Sequence, residues 1–250
     1  MSVYESLAAS YDGLTYDIPY DDVLAFMHRL LEQAGLKPET VVDLACGTGS
    51  LSVRLARAGY RVYGVDLSED MLTVAMQKAM ELDAGPMPFF ICQDMCELTL
   101  PEPVDWVVCM LDSINYLAVP QQAQAMIGRV AESLKPGGMF IFDFNTPYKL
   151  RSLDGQVFLD ENEDSYCVWR AEFDEAENIC YYGIDLFQYV PQADLWERSF
   201  EEHREYAYSP EQLVTYLRQA GFRDICLYGD GVMEPPLPTE QRIYITARKE

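Results

Sequence analysis

The sequence predicts an α/β protein: a doubly wound seven-stranded sheet, mostly parallel and closed by a terminal antiparallel hairpin, with an inserted antiparallel β subdomain. Three observations predict it. Over residues 1–148 short apolar runs alternate with amphipathic stretches, the pattern of a parallel sheet covered by helices on both faces. Between Leu150 and Tyr208 the pattern changes to period-two alternation, which belongs to antiparallel strands. A well-signalled helix and two further strand-like runs then complete the chain.

Five runs rich in Val, Ile, Phe or Tyr, each ending in a polar or Gly-containing turn, give the parallel strands: Thr40–Leu44, Arg61–Asp66, Pro88–Asp94, Asp105–Leu111 and Gly138–Asn145. Helices fill the gaps. Tyr20–Ala34 stops at Gly35 and Ser50–Ala58 stops at Gly59, while Ser68 caps a helix running to about Asp83 with two acids in its first turn. The helix Gln121–Leu134 follows Pro120 and cannot continue through Lys135-Pro136-Gly137-Gly138. In the inserted unit, Cys167, Trp169, Ala171 and Phe173 share a face, a turn falls near Glu177-Asn178, and Ile179, Tyr181 and Phe187 follow. Ser209-Pro210-Glu211-Gln212 supplies an N-cap, an N1 proline and a capping-box glutamine, with Leu213, Tyr216, Leu217 and Ala220 on one helix face. The runs Phe222–Tyr228 and Gln241–Arg248 flank a loop with Pro235-Pro236 that is too short for a crossover helix, so they should pair antiparallel. The expected organisation is a core of residues 1–149 and 206–250. Residues 150–205 follow the fifth strand, at the carboxyl edge where open parallel sheets hold ligands, and form either a lid or a dimerisation unit.

Composition narrows the function. Asp and Glu number 41 against 18 Lys and Arg, a net charge of -23, and that field repels polyanions. Nucleic acid is therefore not an expected partner. Seven cysteines, an odd count with most in apolar runs, read as reduced buried thiols. No CxxC pair occurs and the two histidines, His28 and His203, lie far apart, so no metal is expected. Without an apolar run of signal or membrane-span length, the chain is expected to be cytoplasmic, with no membrane partner.

Val41-Val42-Asp43-Leu44-Ala45-Cys46-Gly47-Thr48-Gly49-Ser50 joins the first strand to its helix through a glycine-rich turn, where missing side chains let a ligand touch backbone. The same loop fits a tight packing turn. Asp43 lies just ahead of the glycines, and Asp66 closes the second strand where an acid can bind ribose hydroxyls. A dinucleotide fits less well: position 52 is Ser where that fingerprint wants Gly or Ala, and Asp43 sits badly beside a pyrophosphate. A cationic nucleoside fits better, by charge attraction.

These residues resemble the first motif of the class I S-adenosylmethionine-dependent methyltransferases, a Rossmann-like family whose small-molecule members the chain looks like. The resemblance runs through Asp43-Leu44-Ala45-Cys46-Gly47-Thr48-Gly49, Val65-Asp66-Leu67-Ser68-Glu69-Asp70-Met71, Gln93-Asp94-Met95, Cys109–Leu117 and Leu134–Gly138. It implies S-adenosylmethionine as cofactor. The Gly47 and Gly49 loop would hold its methionine part and Asp66 the ribose diol, with Asp43, Ala45 and Cys46 also among the cofactor-binding residues. Leu67 and Met71 would face the adenine, with Gln93, Asp94 and Met95 around its amine. Leu111, Asp112 and Ser113 would line the methyl-donor end, and Tyr11, beside Asp12, would belong to an element folding over the cofactor. Some related sugar-amine methyltransferases carry a histidine just beyond the segment matching Asn115-Tyr116-Leu117, where this chain has Ala118-Val119-Pro120.

Methyl transfer is an in-line displacement that needs alignment and exclusion of water rather than a covalent residue. An amine acceptor needs only its neutral form, whereas a hydroxyl acceptor wants a general base. Tyr116 and Asn145, at the carboxyl ends of the fourth and fifth strands, are candidate substrate contacts. His203 is a weaker third: the acids of Glu201-Glu202-His203-Arg204-Glu205 would keep it protonated, and the segment reads more readily as a charged, solvated strand. The expected activity is methylation of a small-molecule acceptor at N or O, in a possible homodimer. The alternatives are an NAD-dependent oxidoreductase and a noncatalytic cofactor-binding protein.

Overall fold

In the computed structural model, which describes residues 11–161 and 164–250, eleven strands form two sheets. They are β1 Thr40–Leu44, β2 Arg61–Asp66, β3 Phe89–Cys92, β4 Val104–Cys109, β5 Leu134–Asn145, β6 Val157–Glu161, β7 Ser165–Asp174, β8 Ile179–Val190, β9 Leu195–Tyr206, β10 Phe222–Tyr228 and β11 Arg242–Lys249. The first sheet has the order β10-β11-β5-β4-β1-β2-β3. Its pairs are parallel from β3 to β5, and β11 runs antiparallel to both β5 and β10. The expected seven-stranded sheet and terminal hairpin are thus present. The expected core unit begins in residues 1–10, and residues 162–163 belong to the expected insert; both segments lie outside the described residues.

The helices are α1 Tyr11–Leu14, α2 Tyr20–Gln33, α3 Ser50–Arg57, α4 Glu69–Met80, α5 Pro120–Ser133, α6 Pro147–Ser152 and α7 Pro210–Gln219. Ser68 caps α4 by accepting from the Met71 amide, and Ser209 and Gln212 close a full capping box on α7. The strand β5 shows why both faces of the sheet need cover. Phe140, Phe142 and Phe144 are fully buried on the side of α5 and α7, while Met139 and Ile141 pack on the side of α2 and α3. Each such ring contributes about 2–3 kcal/mol by leaving water, so substituting one β5 residue disturbs only one of the two cores. The strand also starts earlier than its sequence suggests: Leu134 already pairs with Val104 of β4, and Lys135-Pro136-Gly137-Gly138, with Gly137 at φ 77°, forms an irregularity before pairing resumes at Met139 with Trp106.

The second sheet, β6-β7-β8-β9, is wholly antiparallel. Its inner face differs by one residue from the sequence expectation on β8. Register pairs Cys167 with Leu186, Trp169 with Ile184, Ala171 with Tyr182 and Phe173 with Cys180, so the even-numbered residues of β8 face the Leu150 and Ala207 cluster. Tyr181 and Phe187 take the opposite face and are only half-buried. The turn at Asp174–Ile179 sets this register, and a one-residue change of register swaps the faces.

Candidate active site

One cavity of about 680 Å³ lies at the carboxyl ends of β1, β2 and β4, the crevice where open α/β sheets hold ligands. Its floor is the loop after β1. Ala45 and Gly47 both have positive φ, 58° and 52°. A Cβ built on Gly47 would meet no protein atom within 4 Å, so that position opens towards the cavity. Gly49 has a different reason to be glycine. Its φ is 71°, and a Cβ there would lie 2.8 Å from the Ala75 Cβ of α4; it lets α3 and α4 approach and does not line the cavity.

A buried acid, Asp43, and a half-buried one, Asp66, flank this floor. Asp43 is 2% exposed, and its Oδ2 accepts from Ser52 Oγ at 2.6 Å. Burial pushes its carboxyl up to about 7, and the Ser52 hydroxyl opposes that shift. Asp66 at the end of β2 accepts from the Gly47 amide at 2.8 Å and the Ser68 amide at 2.9 Å. Burial raises its pKa as well, opposed by those amides. One carboxylate therefore fixes the glycine loop and the start of α4 while bordering the cavity.

Of the other residues expected around a cofactor, Tyr11, Ala45, Cys46, Leu67, Met71, Gln93, Asp94, Met95, Leu111 and Ser113 all line the cavity. Two of them have local duties: Asp94 Oδ1 accepts from the Cys96 amide at 2.7 Å, and Gln93 Oε1 from the Thr99 amide at 3.0 Å. Burial drives the Tyr11 hydroxyl pKa up, so the phenol stays neutral at any physiological pH. Asp112 does not line the cavity. With φ 55° it turns away and pairs with Arg242, which also binds Asp143.

The expected substrate contacts divide. Tyr116 lines the cavity, whereas Asn145 is 3% exposed and spans a buried network. Its Nδ2 donates to Glu205 Oε2 at 2.8 Å, its Oδ1 accepts from Lys149 Nζ at 2.8 Å, and its amide donates to Asn115 Oδ1 at 2.9 Å. Asn115 Nδ2 in turn donates to the carbonyls of Asn145 and Tyr206. The two asparagines thus brace the Ser113–Tyr116 turn against β5 and β9. Burial pushes the Glu205 carboxyl up to about 8. The reading of the His203 segment as a solvated strand holds for Glu202 and Arg204, which are exposed, and fails for His203 and Glu205. His203 is 1% exposed, its Nε2 lies 3.0 Å from Glu201 Oε2, and its ring stands edge-on to Tyr116 and Trp169. It supports Tyr116 from behind and does not line the cavity.

The residues that do reach the cavity from β9 are Glu202 and Arg204, which the sequence reading did not single out. The period-two rule held their signal, since His203 and Glu205 point inward and their neighbours point the other way. Leu117, Ala118, Val119 and Gln122 complete that end. Among the lining residues Arg204 is the one cation, set against Asp43, Asp66, Asp94 and Glu202.

The cofactor fit can be judged from this chemistry. A loop opened by Gly47, an uncompensated buried acid and an acid closing β2 suit a phosphate-free nucleoside carrying positive charge. Comparisons with known proteins agree. A methyltransferase-domain family model matches residues 41–138. A protein of Geobacillus sp. (strain WCH70) assigned as a methyltransferase is 33% identical over 98% of this chain and 99% of its own. The crystal structure of an S-adenosylmethionine-dependent methyltransferase from Clostridium acetobutylicum superposes with a TM-score of 0.86 at 28% identity, covering 98% of both chains. At 18% identity, an amino pentose methyltransferase from Micromonospora echinaspora shares the fold, with a TM-score of 0.75 over 100% of this chain and 99% of that one. Carrying the glycine loop and acid pair on this fold, the chain belongs to the S-adenosylmethionine-dependent methyltransferases.

Proposed function

We propose that the chain methylates a small-molecule acceptor at nitrogen or oxygen. The observation that carries this reading is one continuous cavity running from Asp43 and Asp66 to Tyr116, Glu202 and Arg204. At about 680 Å³ it falls within the ~300–1,000 Å³ of small-ligand sites, room for a nucleoside donor and a compact acceptor under β9. A net charge of -23 speaks against a polyanionic acceptor.

When bound, S-adenosylmethionine supplies an electrophilic methyl group. In this reading Asp43 and Asp66 hold the donor by charge and hydrogen bonding, Leu67 and Met71 cover its base, and Tyr11 and Tyr20 exclude water. Leu117, Ala118 and Val119 press the acceptor against Tyr116, and the inserted sheet acts as the lid that carries Glu202 and Arg204. An amine that arrives neutral needs no base here. For a hydroxyl, Glu202 is the carboxylate at that end of the cavity. The Micromonospora echinaspora neighbour, by its name, methylates an amino pentose, an acceptor of matching size.

A panel of amine and hydroxyl metabolites, read by S-adenosylhomocysteine release, tests the proposal. Turnover with a member of the panel, lost in Tyr116→Ala, is expected. Methyl transfer to protein or RNA alone would overturn it.

A further inference from the structure

Beside the cavity, three separated pieces of chain meet in one polar cluster. Asp12 in α1 accepts from Thr48 Oγ1 at 2.6 Å and from Ser50 Oγ at 3.3 Å. Its second carboxylate oxygen lies 2.7 Å from Lys78 Nζ on α4. The same ammonium donates to Ser50 Oγ at 2.6 Å and to Thr48 Oγ1 at 3.2 Å. Thr48 and Ser50 flank Gly49, so the cluster grips the glycine loop, the last turn of α4 and the first described turn of the chain together.

That first turn depends on such a grip. The described residues of α1 number four, one turn that closes few hydrogen bonds of its own. Tyr11 precedes Asp12, lines the cavity and packs on the inner cluster of the inserted sheet. Whatever fixes Asp12 therefore fixes Tyr11 over the cavity. Lys78 does not line the cavity. Its side chain is 26% exposed and that of Asp12 43%, so water screens the pair and the contact can open and re-form.

We propose that Lys78 is a positioning residue: through Asp12 it latches the N-terminal turn onto the glycine loop and sets how long the donor is retained. The inference rests on the reading of this cavity as the S-adenosylmethionine site. The latch fastens to the loop that a bound donor would touch; if the closed latch holds that loop for the donor, the bound donor holds the latch closed by the same factor, because coupling is reciprocal. The acceptor end is formed by other residues, and its affinity should not follow the latch.

The test uses the full chain and S-adenosylhomocysteine as probe, with affinity from calorimetry and release from stopped-flow fluorescence. Lys78→Met should weaken binding about threefold to tenfold, the scale of a partly exposed, charge-assisted pair, and the loss should lie in faster release. Lys78→Arg should restore most of it, and KM for an acceptor should not change. Asp12→Asn should repeat the effect, and the double variant should add little to either single one. Binding and release in Lys78→Met equal to wild type, or no rescue by Arg, overturns the latch while leaving the donor site standing. If wild-type protein does not bind the probe, the donor site falls and the latch with it.

Discussion

Asp43 and Asp143 are both buried on the same face of the sheet, one on β1 and one on β5, yet their surroundings differ. Asp143 is 0% exposed, binds the Arg242 guanidinium and accepts from the Asp112 amide at 3.4 Å. Asp43 has one side-chain partner, the Ser52 hydroxyl, and among the described residues no cation pairs with it. Burial raises both carboxyls; Arg242 opposes the shift at Asp143, and only Ser52 opposes it by side chain at Asp43. An unpaired buried acid is expensive. It stands at the cavity wall, whereas the paired acid does not line it. Two strands of one sheet, with β4 between them, thus divide the work. Arg242 ties β11, β5 and the turn after β4 together, and Asp43 remains open to a positively charged ligand.

The largest effect is expected at the paired acid. Arg242→Met leaves Asp143 and Asp112 facing each other without a cation, and should lower the unfolding free energy by about 3–5 kcal/mol. Denaturant titration at neutral pH checks this, with partial recovery at acid pH where the carboxyls protonate. Next comes Asp43→Asn, which removes a buried charge and should leave the melting temperature unchanged or higher. Its cost should appear in calorimetry as S-adenosylmethionine affinity, weaker by roughly thirtyfold or more if one charge-assisted contact is lost. Should Asp43→Asn instead unfold the protein as Arg242→Met does, the contrast between the two acids disappears.

How much of this was legible in the sequence follows from where each contact originates. β1 and β2 occur at their expected bounds, because an apolar run closed by Asp and Gly leaves no competing reading. The cofactor end of the cavity is built mainly from loops directly following β1, β2, β3 and β4, so short motifs reveal it. The acceptor end is completed by β9, far along the chain; the period-two pattern sets Glu202 and Arg204 on one face and His203 and Glu205 on the other, but which face meets the cavity depends on long-range packing that no local pattern states. For that reason the acid-rich segment around His203 reads as solvated along its whole length, and nothing in it singles out Glu202 and Arg204. Strand position favours Asn145 and the motif favours Asp112, but Glu205 and Arg242, partners from distant segments, draw their side chains away from the cavity.

The smallest and sharpest test concerns the hydroxyl that separates Asp43 from complete isolation. With a folded-state pKa of about 7 against an ordinary value of 3.8, Asp43 takes up a proton more readily in the folded than in the unfolded chain. Its contribution to stability is therefore lost as pH rises from the unfolded value through about 7. Donor affinity runs the opposite way, because a cation prefers the ionised acid; it should strengthen about tenfold between pH 6 and pH 8 if only that form binds. Ser52→Ala removes the bond that lowers this pKa, so the midpoint of the affinity profile should move to higher pH. At pH 7 the variant should bind S-adenosylmethionine about fivefold more weakly, the worth of roughly one hydrogen bond, and the gap should narrow as pH rises further. A uniform loss at every pH would mean that Ser52 touches the ligand itself, and Asp43 would then not be the group whose charge receives the donor.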